Sequence, residues 1–139
     1  MGKFATILLC SIFISSCLYE NGPAFSFRLK SERISNVWVY ENYLINNLDV
    51  TSLFDSSRLE FTRDGYVYKQ TTHQDSLITN IGKWEFDETT RSILKIYLID
   101  STLSTWGESW TILRLKEDDM WLESRSGVEI HELRLKPAP

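Results

Sequence analysis

Cysteine is scarce in this sequence, and a surplus of positive charge is missing altogether. The thiols are Cys10 and Cys17, both near the N-terminus, and the histidines are His73 and His131. The 15 lysines and arginines are outnumbered by 19 aspartates and glutamates, which gives a net charge of −4. Without a basic stripe to neutralise phosphates, we expect no nucleic-acid partner.

The apolar run near the N-terminus is too short to cross a bilayer. It extends from Phe4 to Ile14, whereas a spanning helix needs roughly 20 residues. Lys3 precedes this run, and the small residues Ser15 and Ser16 follow it. A positive start, a short apolar segment and a small-residue exit are typical of a secretory signal. We therefore predict that residues 1–16 are a signal peptide.

The signal ends in Ile14-Ser15-Ser16-Cys17, a branched apolar residue and two small residues before a cysteine. This tetrapeptide resembles the lipobox of bacterial lipoproteins. The resemblance implies that a diacylglyceryl group alkylates the Cys17 sulfur, that cleavage falls just before Cys17, and that the freed amine is then acylated. Two or three acyl chains hold a protein on a membrane far more firmly than one chain does.

Other interpretations of this N-terminus stay open. The first residues, Met1 to Thr6, also fit the loose N-myristoylation pattern, although a soluble myristoylated protein has no use for the apolar run that follows. Cys17 could also remain unmodified after ordinary signal cleavage. Under the lipoprotein interpretation we expect a lipid-anchored protein of the cell envelope. Leu18 follows the cysteine in place of an inner-membrane retention aspartate, so the resemblance implies the outer membrane, on either its periplasmic or its outer face.

With Cys10 discarded and Cys17 lipidated, the mature domain has no disulfide, no thiol nucleophile and no thiolate metal site. Residues 17–33 have the composition of a flexible tether. Glu20-Asn21-Gly22-Pro23 is turn and linker chemistry, and Ser26–Arg33 mixes charged with scattered apolar residues. A short helix within Ser26–Arg33 is compatible with this composition. The folded domain is predicted to occupy residues 34–139.

From Ile34 onward the hydrophobic residues recur with a period of two, which is typical of half-buried strands. Polar turns separate them, and Asp64-Gly65 is the strongest hairpin signal because glycine takes the positive φ of a tight turn. The eight strands predicted from this pattern are Ile34–Ile45, Arg58–Thr62, Tyr66–Thr72, Leu77–Phe86, Ile93–Ile99, Trp106–Lys116, Met120–Arg125 and Val128–Leu135.

No convincing amphipathic helix of ten or more residues lies between these strands, so an antiparallel up-and-down meander is expected instead of parallel crossovers. Closing eight strands into a barrel buries their apolar face and removes both exposed edges. The fold class predicted is therefore all-β, with an eight-stranded barrel favoured and a β-sandwich as the alternative.

Three short motifs resemble the small bacterial lipocalin-like lipoproteins. Asn36-Val37-Trp38 stands where a lipocalin opens with Gly-x-Trp, with asparagine in place of glycine. The segments Leu59–Tyr66 and Ile81–Phe86 are similar to that family's F-x-x-D-G hairpin and later G-x-W strand. The likeness extends over Ile34–Leu135 and implies a lipocalin-like barrel. It also implies that an arginine of the last strand lies across the first-strand tryptophan and closes the barrel, which assigns that contact to Arg134 and Trp38.

No constellation of catalytic or metal-binding residues is recognisable. His73 and His131 have no third ligand at a useful spacing, and Glu117-Asp118-Asp119 lacks the spacing of a calcium loop. A phosphate loop and a nucleophile elbow are also missing. We expect no enzyme, and neither a cofactor nor a metal.

Aromatic residues, which include five tryptophans, are the main functional signal. An eight-stranded barrel is just wide enough to be packed solid or to hold one small ligand. The aromatic residues expected to face inward, and so to contact a ligand, are Tyr40, Trp84, Phe86 and Trp110. Trp106 and Trp121 are expected to face outward, across a β-bulge before Leu113/Leu115.

Two hypotheses for function follow. The first is a lipid-anchored binding module that holds a small hydrophobic ligand in its barrel. The second is an interaction or inhibitor-type domain with a filled core, which binds an envelope protein or a glycan through loops or exposed aromatic residues.

Overall fold

The computed structural model of the chain describes residues 29–99 and 105–139. The predicted signal peptide, Cys17, most of the predicted tether and the turn at Asp100-Ser101-Thr102 lie outside these residues. In the part of the chain that is described, no helix is both long and apolar enough to cross a membrane.

The predicted strands are confirmed, with their ends displaced by a few residues at most. The elements are α1 (Lys30–Ile34), β1 (Val37–Ile45), β2 (Leu48–Asp49), a 3₁₀ turn (Thr51–Phe54), β3 (Ser57–Phe61), β4 (Tyr66–His73), β5 (Ser76–Phe86), β6 (Ile93–Ile99), β7 (Thr105–Leu115), β8 (Met120–Ser126) and β9 (Glu129–Pro137). Two elements were not predicted from the sequence, namely β2 and the 3₁₀ turn that follows it.

The strands form one closed antiparallel barrel. Each strand from β3 to β9 pairs with its neighbour in the chain, and β1 pairs with both β3 and β9. In the closing pair, Tyr40 is opposite Leu135 and Ile45 is opposite His131. Closure leaves no unpaired edge along the eight long strands, so the sheet cannot split into a sandwich. The up-and-down barrel is thus confirmed and the β-sandwich alternative is wrong.

Strand β2 continues the same edge of β1 beyond the end of β3. Leu44 pairs with Asp49 and Ile45 with Leu48. The two residues between the strands, Asn46 and Asn47, have φ angles of 50° and 65°. Asparagine tolerates this left-handed conformation better than most residues, because its short side chain bonds locally. A two-residue hairpin therefore forms where the sequence carries no glycine.

Helix α1 closes one end of the barrel, which we call the closed end. Ile34 and Trp38 are completely buried there, and Trp38 Nε1 donates a 2.9 Å hydrogen bond to the Ile34 carbonyl oxygen. Arg33 Nη1 donates to the Leu115 carbonyl oxygen, also at 2.9 Å. Residues 30–33, which were predicted to belong to the tether, are therefore part of the folded domain. Their amphipathic pattern is too short to recognise in the sequence, since the helix covers little more than one turn.

The predicted contact between Arg134 and Trp38 is wrong. Leu133 and Leu135 of β9 are buried, so strand alternation turns the intervening Arg134 to the outer face. The Arg134 guanidinium lies instead over Trp121, with its central carbon 4.3 Å from the ring centroid.

The predicted β-bulge in β7 is confirmed. The register between β7 and β8 shifts between Ile112 and Arg114. Trp110 is buried before the shift and Leu115 after it, whereas Leu113 is 37% exposed. The extra residue lets both apolar segments of β7 face inward. Trp121 lies on the outer face as predicted, and nothing is described of the Trp106 side chain.

Candidate functional site

A cavity of about 140 Å³ lies inside the barrel at the end opposite α1, which we call the open end. Most of its wall is apolar. The aromatic side chains of the lining are Tyr40, Tyr43, Phe54 and Trp110, the aliphatic ones are Leu59, Ile96, Leu98, Leu122 and Leu133, and the charged ones are Lys69 and Glu108. Such a concave apolar site with a few polar groups is the usual form of a small-ligand site.

The aliphatic part of the wall follows from strand alternation. Ile96 and Leu98 are two residues apart on β6, and both are buried on the inner face. The aromatic part needs an irregularity, because Tyr40 and Tyr43 are three residues apart and a regular strand would point them to opposite faces. The pairing of β1 with β9 shifts between Tyr40 and Asn42, which lets both tyrosines line the cavity.

Phe54 covers the cavity from the 3₁₀ turn Thr51–Phe54, which we call the lid turn. Its ring stacks on Tyr40 with a centroid distance of 4.9 Å and an interplanar angle of 27°, and it lies equally far from Tyr43. The lid turn is held at its first residue. The Thr51 amide donates to Asp49 Oδ1, and Thr51 Oγ1 accepts a hydrogen bond from the Tyr43 amide, each at 2.9 Å.

The two charged residues of the lining differ in their partners. Glu108 is exposed at the rim, and its Oε2 accepts a 3.0 Å hydrogen bond from Trp110 Nε1. Lys69 is half-buried, and its Nζ lies 5.6 Å from the centroid of the Phe54 ring. Among the salt bridges formed within residues 29–99 and 105–139, none involves Lys69.

The tyrosine hydroxyls remain protonated. Burial, with smaller contributions from Tyr43 and Glu108, raises the pKa of Tyr40 well above its ordinary value of 10.0. Burial also raises the pKa of Tyr43, as do Glu108 and Glu129. In low-dielectric surroundings the charged phenolate is disfavoured, so both groups are hydrogen-bond donors at neutral pH.

A row of polar groups links Tyr43 to the rim. The Tyr43 hydroxyl and His131 Nδ1 are 2.9 Å apart, and His131 Nε2 is 3.3 Å from Glu129 Oε2. The His131 ring also meets Trp110 edge-on, with centroids 6.4 Å apart. These contacts fix the orientation of the Tyr43 ring in the cavity wall. Within the described residues, no three histidine, cysteine, aspartate or glutamate side chains converge as a metal site.

The structure separates the four aromatic residues predicted to bind a ligand. Tyr40 and Trp110 line the cavity. Trp84 and Phe86 face inward nearer the closed end, where their rings meet edge-on at 5.4 Å and Trp84 Nε1 donates to the Thr62 carbonyl oxygen at 3.0 Å. Trp84 and Phe86 do not line the cavity. The sequence therefore predicted correctly that the two side chains face inward, but it did not predict their position along the barrel axis.

Besides the five aliphatic lining residues, sequence reasoning missed four aromatic or charged residues of the cavity: Tyr43, Phe54, Lys69 and Glu108. For Lys69 a signal was present, since Val67 and Lys69 occupy alternate positions of one strand and Val67 is buried. No signal was available for Phe54, because the lid turn reaches the cavity only through the path of the chain in three dimensions.

The fold is similar to that of two proteins of known crystal structure. One is a lipocalin-like protein from Bacteroides uniformis, which matches with a TM-score of 0.62 and 13% sequence identity over 76% of this chain and 99% of its own. The other is an uncharacterised protein from Bacteroides eggerthii, with a TM-score of 0.55 and 13% identity over 74% of this chain and 98% of its own. No protein-family model matches the sequence, and no curated protein is similar to it. The chain thus has a lipocalin-like barrel fold.

Proposed function

We propose that this chain is a lipid-anchored binding module of the cell envelope that holds a small hydrophobic ligand at the open end of its barrel. The observation that carries the proposal is the cavity of about 140 Å³ with its aromatic and aliphatic wall. A dry, apolar engineered cavity of about 150 Å³ in another protein binds benzene. The part of the ligand that the cavity encloses is therefore about the size of one aromatic ring.

The anchor rests on the sequence. Helix α1 starts at Lys30 and packs on the closed end of the barrel. A tether from Cys17 would therefore enter the domain at the closed end, opposite the cavity. We place the protein in the outer membrane, with no catalytic role and no cofactor.

Ligand binding is tested by titrating the isotope-labelled full chain in detergent with benzyl alcohol and recording methyl NMR spectra. We expect the Ile96 methyl groups to shift, because they line the cavity. Ile81 is an internal control, since its side chain is on the outer face and 51% exposed. Shifts of equal size at both residues, or none at Ile96, would show that the cavity takes no ligand.

The anchor is tested by the intact mass of the protein extracted from membranes of a Gram-negative host, before and after delipidation. The expected mass is that of Cys17–Pro139 plus acyl chains. A Cys17→Ser variant should keep its signal peptide and lose the acyl mass, whereas Cys10→Ser should behave as the wild type. Retention of Met1 in the wild type, or an unmodified Cys17, would rule out the anchor.

A second candidate function is an interaction domain that binds an envelope protein through its outer face. Ile81 and Ile99 are paired across β5 and β6, and about half of each side chain is exposed. Exposed apolar side chains that form a contiguous patch mark protein contact sites. A photo-crosslinking residue at Ile81 should then capture one envelope protein in cells, and the same residue at Glu85 on the same outer face should not. Equal capture from both positions would contradict this function.

A further inference from the structure

The two charged residues of the cavity lining differ in the hydrogen bonds and salt bridges that they already form. Glu108 is the carboxylate of the lining, and it is exposed at the rim and already accepts the Trp110 indole N–H. Lys69 is the ammonium of the lining, and it is half-buried and forms no salt bridge within the described residues. The cavity therefore presents, beside an apolar wall, an ammonium that has no salt bridge to the described residues.

Lys69 and Tyr40 are arranged around the same ring. Phe54 of the lid turn stacks on Tyr40 at 4.9 Å, and Lys69 Nζ lies 5.6 Å from the Phe54 centroid. All three side chains line the cavity. The ammonium can only donate hydrogen bonds, whereas the buried phenol can donate one and can also accept. Their only shared complement is an acceptor, and an anionic one is the strongest.

We propose that the cavity selects a small organic anion, a carboxylate carried on one ring or on a branched chain of similar size, with Lys69 Nζ pairing the carboxylate and the apolar wall holding the ring. This inference rests on the proposed function and names the ligand class of that site. Lys69 is then the residue that determines specificity, whereas Ile96, Leu98 and Leu133 supply the apolar contact.

The lost hydration of the Lys69 ammonium favours its pairing with a ligand carboxylate. A half-buried ammonium has lost part of its hydration, and a cation–π contact with Phe54 restores only part of that loss. A carboxylate restores more, because charge-assisted hydrogen bonds are about twice as strong as neutral ones. We expect the charge to raise affinity about tenfold, which corresponds to about 1.4 kcal/mol.

The experiment compares three probes of one size and different charge: benzoate, benzyl alcohol and benzylamine. Each is titrated into the full chain and into three variants, with the Ile96 methyl shift as readout. Lys69→Met removes the charge and keeps the length of the side chain, and Lys69→Arg keeps the charge. Lys83→Met is the matched control, because Lys83 lies on the outer face of β5 and is exposed.

The expected order in the wild type is benzoate first, about tenfold tighter than benzyl alcohol, with benzylamine last. Lys69→Met should erase the preference for benzoate, so that the ratio of the benzoate and benzyl alcohol affinities falls from about ten to about one. Lys69→Arg should restore the preference, and Lys83→Met should not affect it. Dispersed methyl spectra would show that each variant is folded.

Two results would overturn the inference. If benzyl alcohol binds as tightly as benzoate, or if the benzoate preference survives in Lys69→Met, Lys69 does not select an anion, although the cavity still binds small hydrophobic ligands. If none of the three probes shifts Ile96, the proposed function fails together with the inference. These two failures are distinguished by the benzyl alcohol titration alone.

Discussion

The two ends of this barrel use the same kinds of side chain for different purposes. At the closed end an indole is covered by α1, and its N–H is bonded to the main-chain oxygen of Ile34. At the open end another indole, that of Trp110, donates to the carboxylate of Glu108 at the rim of a cavity. The indole is completely buried in the first region, and in the second the Trp110 ring lines a cavity.

This difference teaches where stability and binding reside in a small barrel. Completely buried side chains, including Trp38 and Leu94, are those that hold the domain together. Fewer side chains are completely packed at the open end. The aromatic rings there are held by the lid turn and by hydrogen bonds between side chains. The predictions below test this division, from the largest expected effect to the smallest.

The largest effect is expected at Trp38. Trp38→Ala removes a completely buried indole and leaves the Ile34 carbonyl oxygen without its donor. The free energy of unfolding should fall by about 3–5 kcal/mol, as for other buried aromatic truncations. Urea denaturation measures this loss. Val128→Ala is the control, because Val128 is 93% exposed, and it should change the free energy of unfolding by less than about 0.5 kcal/mol. A loss at Trp38 as small as that at Val128 would mean that α1 does not seal the closed end.

A smaller effect on the free energy of unfolding is expected when leucine is replaced by phenylalanine at two positions of β6. The two positions differ in how far they lie from the closed end. Leu94 and Leu98 both face inward on β6, but Leu98 alone lines the cavity. Leu94→Phe should overpack the closed end and lower the free energy of unfolding by about 1–3 kcal/mol. Leu98→Phe should cost less than about 1 kcal/mol, because the larger ring enters existing space, and it should weaken benzyl alcohol binding at least about tenfold. Denaturation and titration of both variants test this, and equal costs would contradict the contrast between the two ends.

The smallest effect concerns alkaline pH at the open end. Because burial raises the pKa of Tyr40 above 10.0, the folded state favours the neutral phenol. This contribution to stability is complete below about pH 10 and is lost as the pH rises from there toward the pKa of the folded state. Tyr40→Phe cannot ionise, so its free energy of unfolding should fall less between about pH 9 and about pH 11 than that of the wild type. Val128→Ala, which removes no ionisable group and changes an exposed side chain, should follow the wild type. Identical alkaline slopes for Tyr40→Phe and the wild type would show that the Tyr40 hydroxyl is not buried.

Much of the barrel could be predicted from the sequence, because strands and tight turns are indicated by residues that are close together in the chain. Alternation of apolar and polar residues specified eight strands, and Asp64-Gly65 specified a hairpin whose glycine has a φ of 91°. The bulge in β7 could be predicted because Trp110 and Leu115 compete for one face. The pair Asn46 and Asn47 was missed because asparagine signals a turn less strongly than glycine does.

The site was only partly predictable. Alternation identifies the inner face but not the position along the barrel axis, so Trp84 and Phe86 could not be separated from Tyr40 and Trp110. The contact predicted for Arg134 failed for a related reason, since its partner depends on the face and register that β9 takes against β1.

The sequence by itself determined the class of fold and the inward faces of the strands, and it predicts export and lipidation from residues 1–17. These depend on side-chain period and on short contiguous motifs. Tertiary structure alone decided that α1 closes one end, that the lid turn carries Phe54 over the cavity, and that Lys69 is the cation within it. The physical reason is that a cavity is a property of strands far apart in the chain. Its volume and its charge appear only when the register and the shear of the barrel bring those strands together.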